Sequence, residues 1–329
     1  MENKISACIL GGNGFIAHHL ARRLRQEGYW VRTVDIKEYE YGQPDYTDDY
    51  VIGDLRDISV MRKVLIGPQH TFDLIVNCSA LMGGALTIFT GENDAQILHD
   101  NLLISINCAE VCASYGVGKV YVSSSACGYS QLYQEKTEDV ALNENMMYPA
   151  FPDSDYGWAK MMEERIFQAY NRNHGLNIRI GRFHNVMGIE GQFDNKKAKA
   201  PAALAYKVAV AKDGDLIEVL GDGLQTRSFI GINDAVEGIL RLINSDHIEP
   251  INIGSDEMVT INQLAQMLIE ISGKDLKIKN IPTNAQGVRG RNSDNTKIVE
   301  VLGWKATTPL YKNLQELYPW IDAQVKGQK

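Results

Sequence analysis

The sequence predicts a doubly wound α/β fold, a parallel sheet with helices on both faces, followed by a smaller C-terminal α/β lobe. Three observations carry that expectation. Short apolar runs alternate with segments of helical periodicity through the first half of the chain, the pattern of strands joined by right-handed helical crossovers. A glycine-rich turn stands between the first strand and the first helix. After residue 183 the texture changes to a polar, lysine-rich stretch and then to shorter elements.

Taken in order, residues 5–10, 30–34, 50–52, 72–78 and 119–122 read as strands, each a short apolar run bounded by polar residues. Residues 15–27, 59–65 and 94–115 read as the helices between them. A helix over 155–174 and a strand over 176–183 continue the alternation. Residues 188–199, with Lys196, Lys197 and Lys199, read as a mobile loop. Beyond it come a helix over 200–212, strands near 217–220 and 228–230, and helices near 234–244 and 261–271. A strand near 277–281 and two closing helices follow. The expected division is 1–180 for the first lobe and 181–329 for the second. The second lobe is read as discontinuous, with one or two of its strands returning to the first sheet.

A chain of 329 residues that is 44% hydrophobic can bury a large core. Its net charge of −8 argues against broad nucleic-acid binding, while leaving room for a local basic pocket. Five cysteines are too few and too scattered for a disulfide framework. Cys108 and Cys112 stand four apart but lack a second ligand pair, so no metal is expected. The opening run MENKISACILGG enters a strand without a leader, and no apolar stretch approaches the ~18 residues of a membrane span. A cytoplasmic protein with neither membrane nor nucleic-acid partner is the expectation.

The turn Gly11-Gly12-Asn13-Gly14-Phe15-Ile16-Ala17 gives the fold its Rossmann-type character. Gly11 allows a tight turn, and Gly14 lets the backbone approach a pyrophosphate held at the helix start that Phe15 and Ile16 form. Ala17 stands where a third glycine is common. Asp35 ends the second strand, 21 residues beyond Gly14. A carboxylate there accepts both ribose hydroxyls of NAD and repels a 2′-phosphate, so NAD is expected over NADP. Asp54 and Leu55 follow the third strand and are placed beside the adenine.

Tyr156 and Lys160 stand at i and i+4 on one helix face. The lysine is expected to pull the phenol down from its ordinary ~10 towards a working range. Ser125 lies just past the fifth strand, at the edge where such sheets bind ligands, and can hydrogen-bond a substrate oxygen.

In these residues the chain resembles the extended short-chain dehydrogenase/reductase family and, within it, the branch of GDP-mannose 3,5-epimerases. The likeness runs from about residue 5 to 320. It is carried by Leu81-Met82-Gly83-Gly84, Ser124-Ser125-Ala126-Cys127-Gly128-Tyr129, Gly181-Arg182-Phe183-His184-Asn185 and Lys199-Ala200-Pro201-Ala202-Ala203. Residues 221–229, 252–258 and 287–294 extend it. The resemblance implies a redox triad of Ser125, Tyr156 and Lys160, the last two also against the cofactor, and an epimerising base and acid in Cys127 and Lys199. It implies that Asn185, Lys207, Gln225, Arg227 and Arg291 hold the nucleotide and diphosphate, and that Gly83 and Gly84 pass close to the sugar. A GDP-linked sugar as substrate and a homodimer formed through helices 94–115 and 155–174 are implied as well.

The residue types suit that chemistry. Oxidising C4 of a sugar makes the hydrogens at C3 and C5 acidic enough for a thiolate to remove and an ammonium to replace. A neighbouring Lys199 is expected to favour the Cys127 thiolate. The same triad also serves an enzyme that stops after C4 oxidation and releases a 4-keto sugar. Cys127 and Lys199 favour epimerisation over that alternative, and the Tyr156/Lys160 pair argues against a silent NAD-binding protein. Two segments depart from the family pattern. Gly128 and Ser130-Gln131 replace an isoleucine and a Pro-Glu, and residues 192–198 lack a Trp/Gly-rich stretch. Both are expected near the sugar, so its identity, and whether C3, C5 or both invert, stays open.

Overall fold

The computed structural model describes residues 4–38, 45–68, 71–138, 141–194, 198–283 and 287–327. The first stretch runs β1 (Ser6–Leu10), α1 (Phe15–Gln26), β2 (Trp30–Asp35), β3 (Asp49–Ile52), α2 (Ile58–Val64), β4 (Leu74–Asn77), α3 (Ala85–Ile88), α4 (Asp94–Tyr115) and β5 (Lys119–Ser125). It continues through β6 (Ala141–Leu142), α5 (Asp155–His174), β7 (Ile178–Phe183), β8 (Val186–Met187), α6 (Ala200–Val210), β9 (Leu216–Leu220), β10 (Thr226–Ser228), β11 (Ile230–Gly231) and α7 (Ile232–Ile243). The last stretch holds β12 (Ile251–Ile253), β13 (Met258–Thr260), α8 (Ile261–Ser272), β14 (Lys277–Ile281), β15 (Gly290–Ser293), α9 (Thr296–Leu302) and α10 (Leu310–Gly327).

Seven strands form the main sheet in the order β12-β7-β5-β4-β1-β2-β3. All its pairings are parallel, as the doubly wound expectation requires. β1 shows why both faces must be covered, since all five of its residues are buried. Ala7 and Ile9 point into a core with Leu20, Leu24 and Ile239 of α1 and α7. Cys8 and Leu10 point the other way, into a core with Met61, Val111 and Phe167 of α2, α4 and α5. Strand order reverses between β1 and β4, and the crevice at such a switch point is where open α/β sheets take ligands.

A separate apolar core gathers α6, α8 and α10 around β9, with Leu204, Val208, Leu264, Leu268, Leu314 and Ile321. The smaller sheets are β13-β10-β15-β6, β11-β8 and β14-β9. β12 comes from beyond residue 250 and still pairs with β7 at the edge of the main sheet, Ile251 opposite Gly181. The strand expected near 228–230 is interrupted at Phe229, which lies between β10 and β11 and is buried in the second core. Lys196 and Lys197, part of the expected mobile loop, lie outside the described residues.

Candidate active site

Parallel strands present their C-terminal ends to one edge, and the turns after β1 to β5 open there onto a cavity of about 1190 Å³. At the first turn Gly11 adopts φ 75°, and its N–H and that of Gly12 both donate to the Val34 carbonyl at 2.8 and 3.0 Å. A Cβ on Gly11 would lie 2.8 Å from the Ser79 Cα, so the turn is pressed against the end of β4 and admits only glycine. Gly14 is the N-cap of α1 and brings no side-chain cap, while Gly14, Phe15 and Ile16 line the cavity. Asp35 Oδ2 accepts the Asn13 N–H at 3.0 Å and Oδ1 the Lys37 N–H at 3.2 Å, leaving a lone pair on each oxygen for a diol. A bare glycine cradle, an uncapped helix start and a carboxylate at the second strand end fit a dinucleotide.

The residues read from the sequence as a redox triad come from β5 and α5. The Ser125 Oγ, at the end of β5, accepts the Cys127 N–H at 3.1 Å and turns the chain into a short 3₁₀ segment. The Ser154 Oγ caps α5 by accepting the Gly157 N–H at 3.3 Å. A Cβ on Gly157 would lie 2.2 Å from the Cys127 carbonyl oxygen, so the helix starts flush against the turn that carries Cys127. That contact brings Tyr156 beside Ser125, whose hydroxyl favours the phenolate. One helical turn on, Lys160 Nζ lies 6.0 Å from the centre of the Tyr156 ring. It donates to the Ser123 carbonyl at 2.8 Å and to Glu163 Oε2 at 2.7 Å.

One expectation is corrected here. Lys160 does pull on Tyr156, but burial outweighs it and the phenol is pushed up to about 12 rather than down. Burial also works against the Lys160 ammonium, yet Glu163 and then Tyr156 hold it above the ordinary lysine range.

Cys127 stands among cations. Arg291 Nη1 donates to its Sγ at 3.1 Å, Nη2 to Asp153 Oδ2 at 3.0 Å, and Nε to Gln134 Oε1. Arg227 donates to the Thr226 and Val288 carbonyls, both at 2.7 Å, and burial, followed by Arg291, lowers it to about 10. Lys199, the N-cap of α6, is lowered by burial with the Cys127 sulfur opposing.

The same cavity is lined by every residue read as a site residue from the sequence. Asp54 also binds Arg56, with Oδ2 2.8 Å from Nη2, and Leu55 is buried next to it. Gly83 and Gly84 form the turn after β4. Asn185, at φ 44°, donates from Nδ2 to the Ser228 carbonyl at 3.0 Å. Lys207 Nζ donates to the Glu218 carbonyl at 2.6 Å and Gln225 Nε2 to the Leu220 carbonyl at 3.1 Å. Glu190 fastens the segment that leads to Lys199 onto α1, 2.9 Å from His18 Nε2 and 3.2 Å from Arg22 Nη1.

A family model of NAD dependent epimerases and dehydratases matches residues 7–254. The chain belongs to the NAD dependent epimerase/dehydratase family. NAD is its cofactor, and the glycine cradle, α1 and Asp35 are where the fold fits it. As a member of this family it is similar to GDP-mannose 3,5-epimerase of Arabidopsis thaliana, 42% identical over 329 residues, 100% of this chain and 85% of that one. GDP-mannose 3,5-epimerase 1 of Oryza sativa subsp. japonica is 40% identical, over 100% and 84%. Among solved structures, UDP-glucose 4-epimerase of Thermotoga maritima superposes with a TM-score of 0.85 at 24% identity, over 97% of this chain and 99% of that one. UDP-glucose 4-epimerase of Thermus thermophilus, in complex with NAD, gives 0.82 at 20%, over 96% and 98%. These two share the family fold.

Sequence reasoning missed Glu163, Asp153 and Gln134. Glu163 was detectable, because it stands three residues after Lys160 on the same helix face. Asp153 and Gln134 carry no comparable signal, since only tertiary packing brings them to Arg291.

Proposed function

We propose that this enzyme epimerises a GDP-linked sugar in the manner of a GDP-mannose 3,5-epimerase, oxidising C4, exchanging protons at C3 and C5, and reducing C4 again. The observation that carries the reading is that Cys127 and Lys199 line the same cavity as Ser125, Tyr156 and Lys160. A C4 dehydrogenase needs only the last three. The relatives named GDP-mannose 3,5-epimerase support the guanine nucleotide and the manno configuration.

Bound NAD supplies the hydride acceptor at C4 and a positive charge in its oxidised form. Tyr156 takes the C4 hydroxyl proton, and Lys160 stabilises the phenolate. Burial has raised this phenol, so the nearby positive charges are what bring its ionisation within reach. Ser125 hydrogen-bonds the oxygen that becomes the ketone. With C4 oxidised, Cys127 removes the adjacent proton and Lys199 delivers one from the opposite face. Burial lowers Lys199 towards the range in which an ammonium gives up a proton readily. Arg227 and Arg291 suit a diphosphate, because guanidinium groups bind phosphate oxygens in pairs. Asn185, Lys207 and Gln225 are assigned to the nucleotide, and Gly83 and Gly84 to the sugar's edge. In this scheme residues 1–180 hold NAD and 181–329 the nucleotide sugar.

A homodimer through α4 and α5 is part of the proposal. Ile106 and Met162 on these helices are exposed apolar side chains, at 43% and 40%. Among the described residues no helix is long and apolar enough to cross a membrane, and the cytoplasm is the proposed compartment. The deciding experiment incubates the enzyme with GDP-mannose in D₂O. Deuterium at C3 and C5 without net NADH is the expected result. Accumulating NADH and a released 4-keto sugar would defeat the epimerase assignment in favour of a dehydrogenase.

A further inference from the structure

Lys160 is 3% exposed, so its charge has been taken almost wholly out of water. A buried ammonium sheds its proton unless it is paired. Its partner, Glu163, is 3% exposed as well, and both its oxygens are engaged. Oε2 accepts Lys160 at 2.7 Å, while Oε1 accepts Asn77 Nδ2 at 3.0 Å and Ser105 Oγ at 3.2 Å. The carboxylate is therefore tied to α5, β4 and α4 at once. Such a pair adds little to stability compared with apolar side chains of the same size, so packing alone does not account for it.

We propose that Glu163 is a positioning residue of the redox step, a buried counter-ion that keeps Lys160 an ammonium and, through it, sets the pH at which Tyr156 works. Other titratable groups face the pair from each neighbouring element. Glu164 on α5 is taken up by Arg182, with two contacts of 2.8 Å. Cys78, just past β4, is pushed up to about 12 by burial, and Tyr121 on β5 is raised for the same reason, so both are neutral at working pH. Cys127 faces Tyr156 from the turn after β5. Glu163 is thus the anion set against Lys160. Its charge has two effects on Tyr156, of opposite sign. Directly it resists ionisation of the phenol, while by holding the proton on Lys160 it keeps in place the cation that favours the phenolate, and the pull of Lys160 is the larger of the two. Removing it lets the buried Lys160 shed its proton at lower pH and moves the ionisation of Tyr156 to higher pH.

The inference rests on Tyr156 and Lys160 being the redox pair, and its test needs no sugar. Tyrosinate absorbance is titrated in NAD-loaded protein, with the matching Tyr156→Phe protein subtracted. In Glu163→Gln, Tyr156 ionises roughly one pH unit higher than in the parent, the scale on which one nearby charge moves a pKa. The bell of turnover against pH shifts the same way, and Glu163→Asp, which keeps the charge, recentres it. An unshifted titration in Glu163→Gln, or an equal shift in Glu163→Asp, overturns the proposal. If Glu163→Gln does not fold, Ser105→Ala decides. Ser105 helps keep the buried Glu163 ionised, so losing it weakens the counter-ion and the titration moves up by a smaller step, and no movement overturns the proposal. A parent inert towards GDP-mannose would defeat the epimerase assignment and leave this titration standing.

Discussion

The two ends of the cavity are made of different materials. The cofactor end is largely backbone: a glycine turn, a helix start and one strand-end carboxylate, mostly within thirty-five residues of the N-terminus. The chemical end is built of buried charge, gathered from β5, α5, the segment before α6, and β15. Backbone geometry is set locally and tolerates little change in shape. Buried charge is set by neighbours distant in sequence, and each group's proton affinity depends on the others. Damage at the first end should weaken binding, and damage at the second should stop chemistry.

The contrast can be broken most directly at Tyr156. Tyr156→Phe should lower turnover by roughly 10²–10⁴-fold while NAD affinity, measured by calorimetry, changes little. An equal loss of both would erase the distinction between the ends. Cys127→Ala and Lys199→Ala should abolish deuterium entry at C3 and C5 by a similar factor and spare hydride exchange at C4. A rate of solvent exchange equal to the parent's would remove the acid/base assignment. The pH profile sharpens the picture further. In the proposed scheme Lys199 is a protonated acid, and burial lowers its pKa, so activity should fall with rising pH below lysine's ordinary ~10.4. In Lys199→Arg that falling limb should move to higher pH.

At the cofactor end the effects should be smaller and confined to affinity. Gly11→Ala forces a side chain into φ 75° and against Ser79, a strain of about 1–3 kcal/mol. NAD binding should weaken by about ten- to a hundredfold, with turnover recovered at saturating NAD. Asp35→Asn should cost the least, about tenfold in NAD affinity, and should narrow the preference for NAD over NADP. A fall in turnover that saturating NAD does not restore would show that the two ends are coupled.

The same division decides what could be read from the sequence. β1, α1, β2 and their turn were legible because apolar period and glycine placement act over a few residues. Tyr156 and Lys160 were legible as a pair, since an i, i+4 spacing is local. The state of that pair was not. The lysine's pull is visible in the sequence, whereas the burial that outweighs it depends on Ile88 of α3 and Ile97 of α4 packing over Tyr156. β15 escaped for another reason. Gly290-Arg291-Asn292-Ser293 is fully buried yet has no apolar residue, so no hydrophobic period announces a strand. Its burial is sustained by polar partners such as Asp153, Gln134 and Asp256. Arg291 was singled out by resemblance, but its contact with Cys127 emerges only when β15 is placed beside β10 and β6.

The edge position of β12 governs the order in which the molecule can be assembled on the ribosome. Until residue 253 has emerged, β7 lies at an open margin with the N–H and C=O groups on the side away from β5 unpaired, although the strands that precede it are already made. A nascent or truncated chain ending short of that point offers this margin to any passing strand. The stretch that binds NAD therefore completes its own sheet only after much of the other lobe has been synthesised.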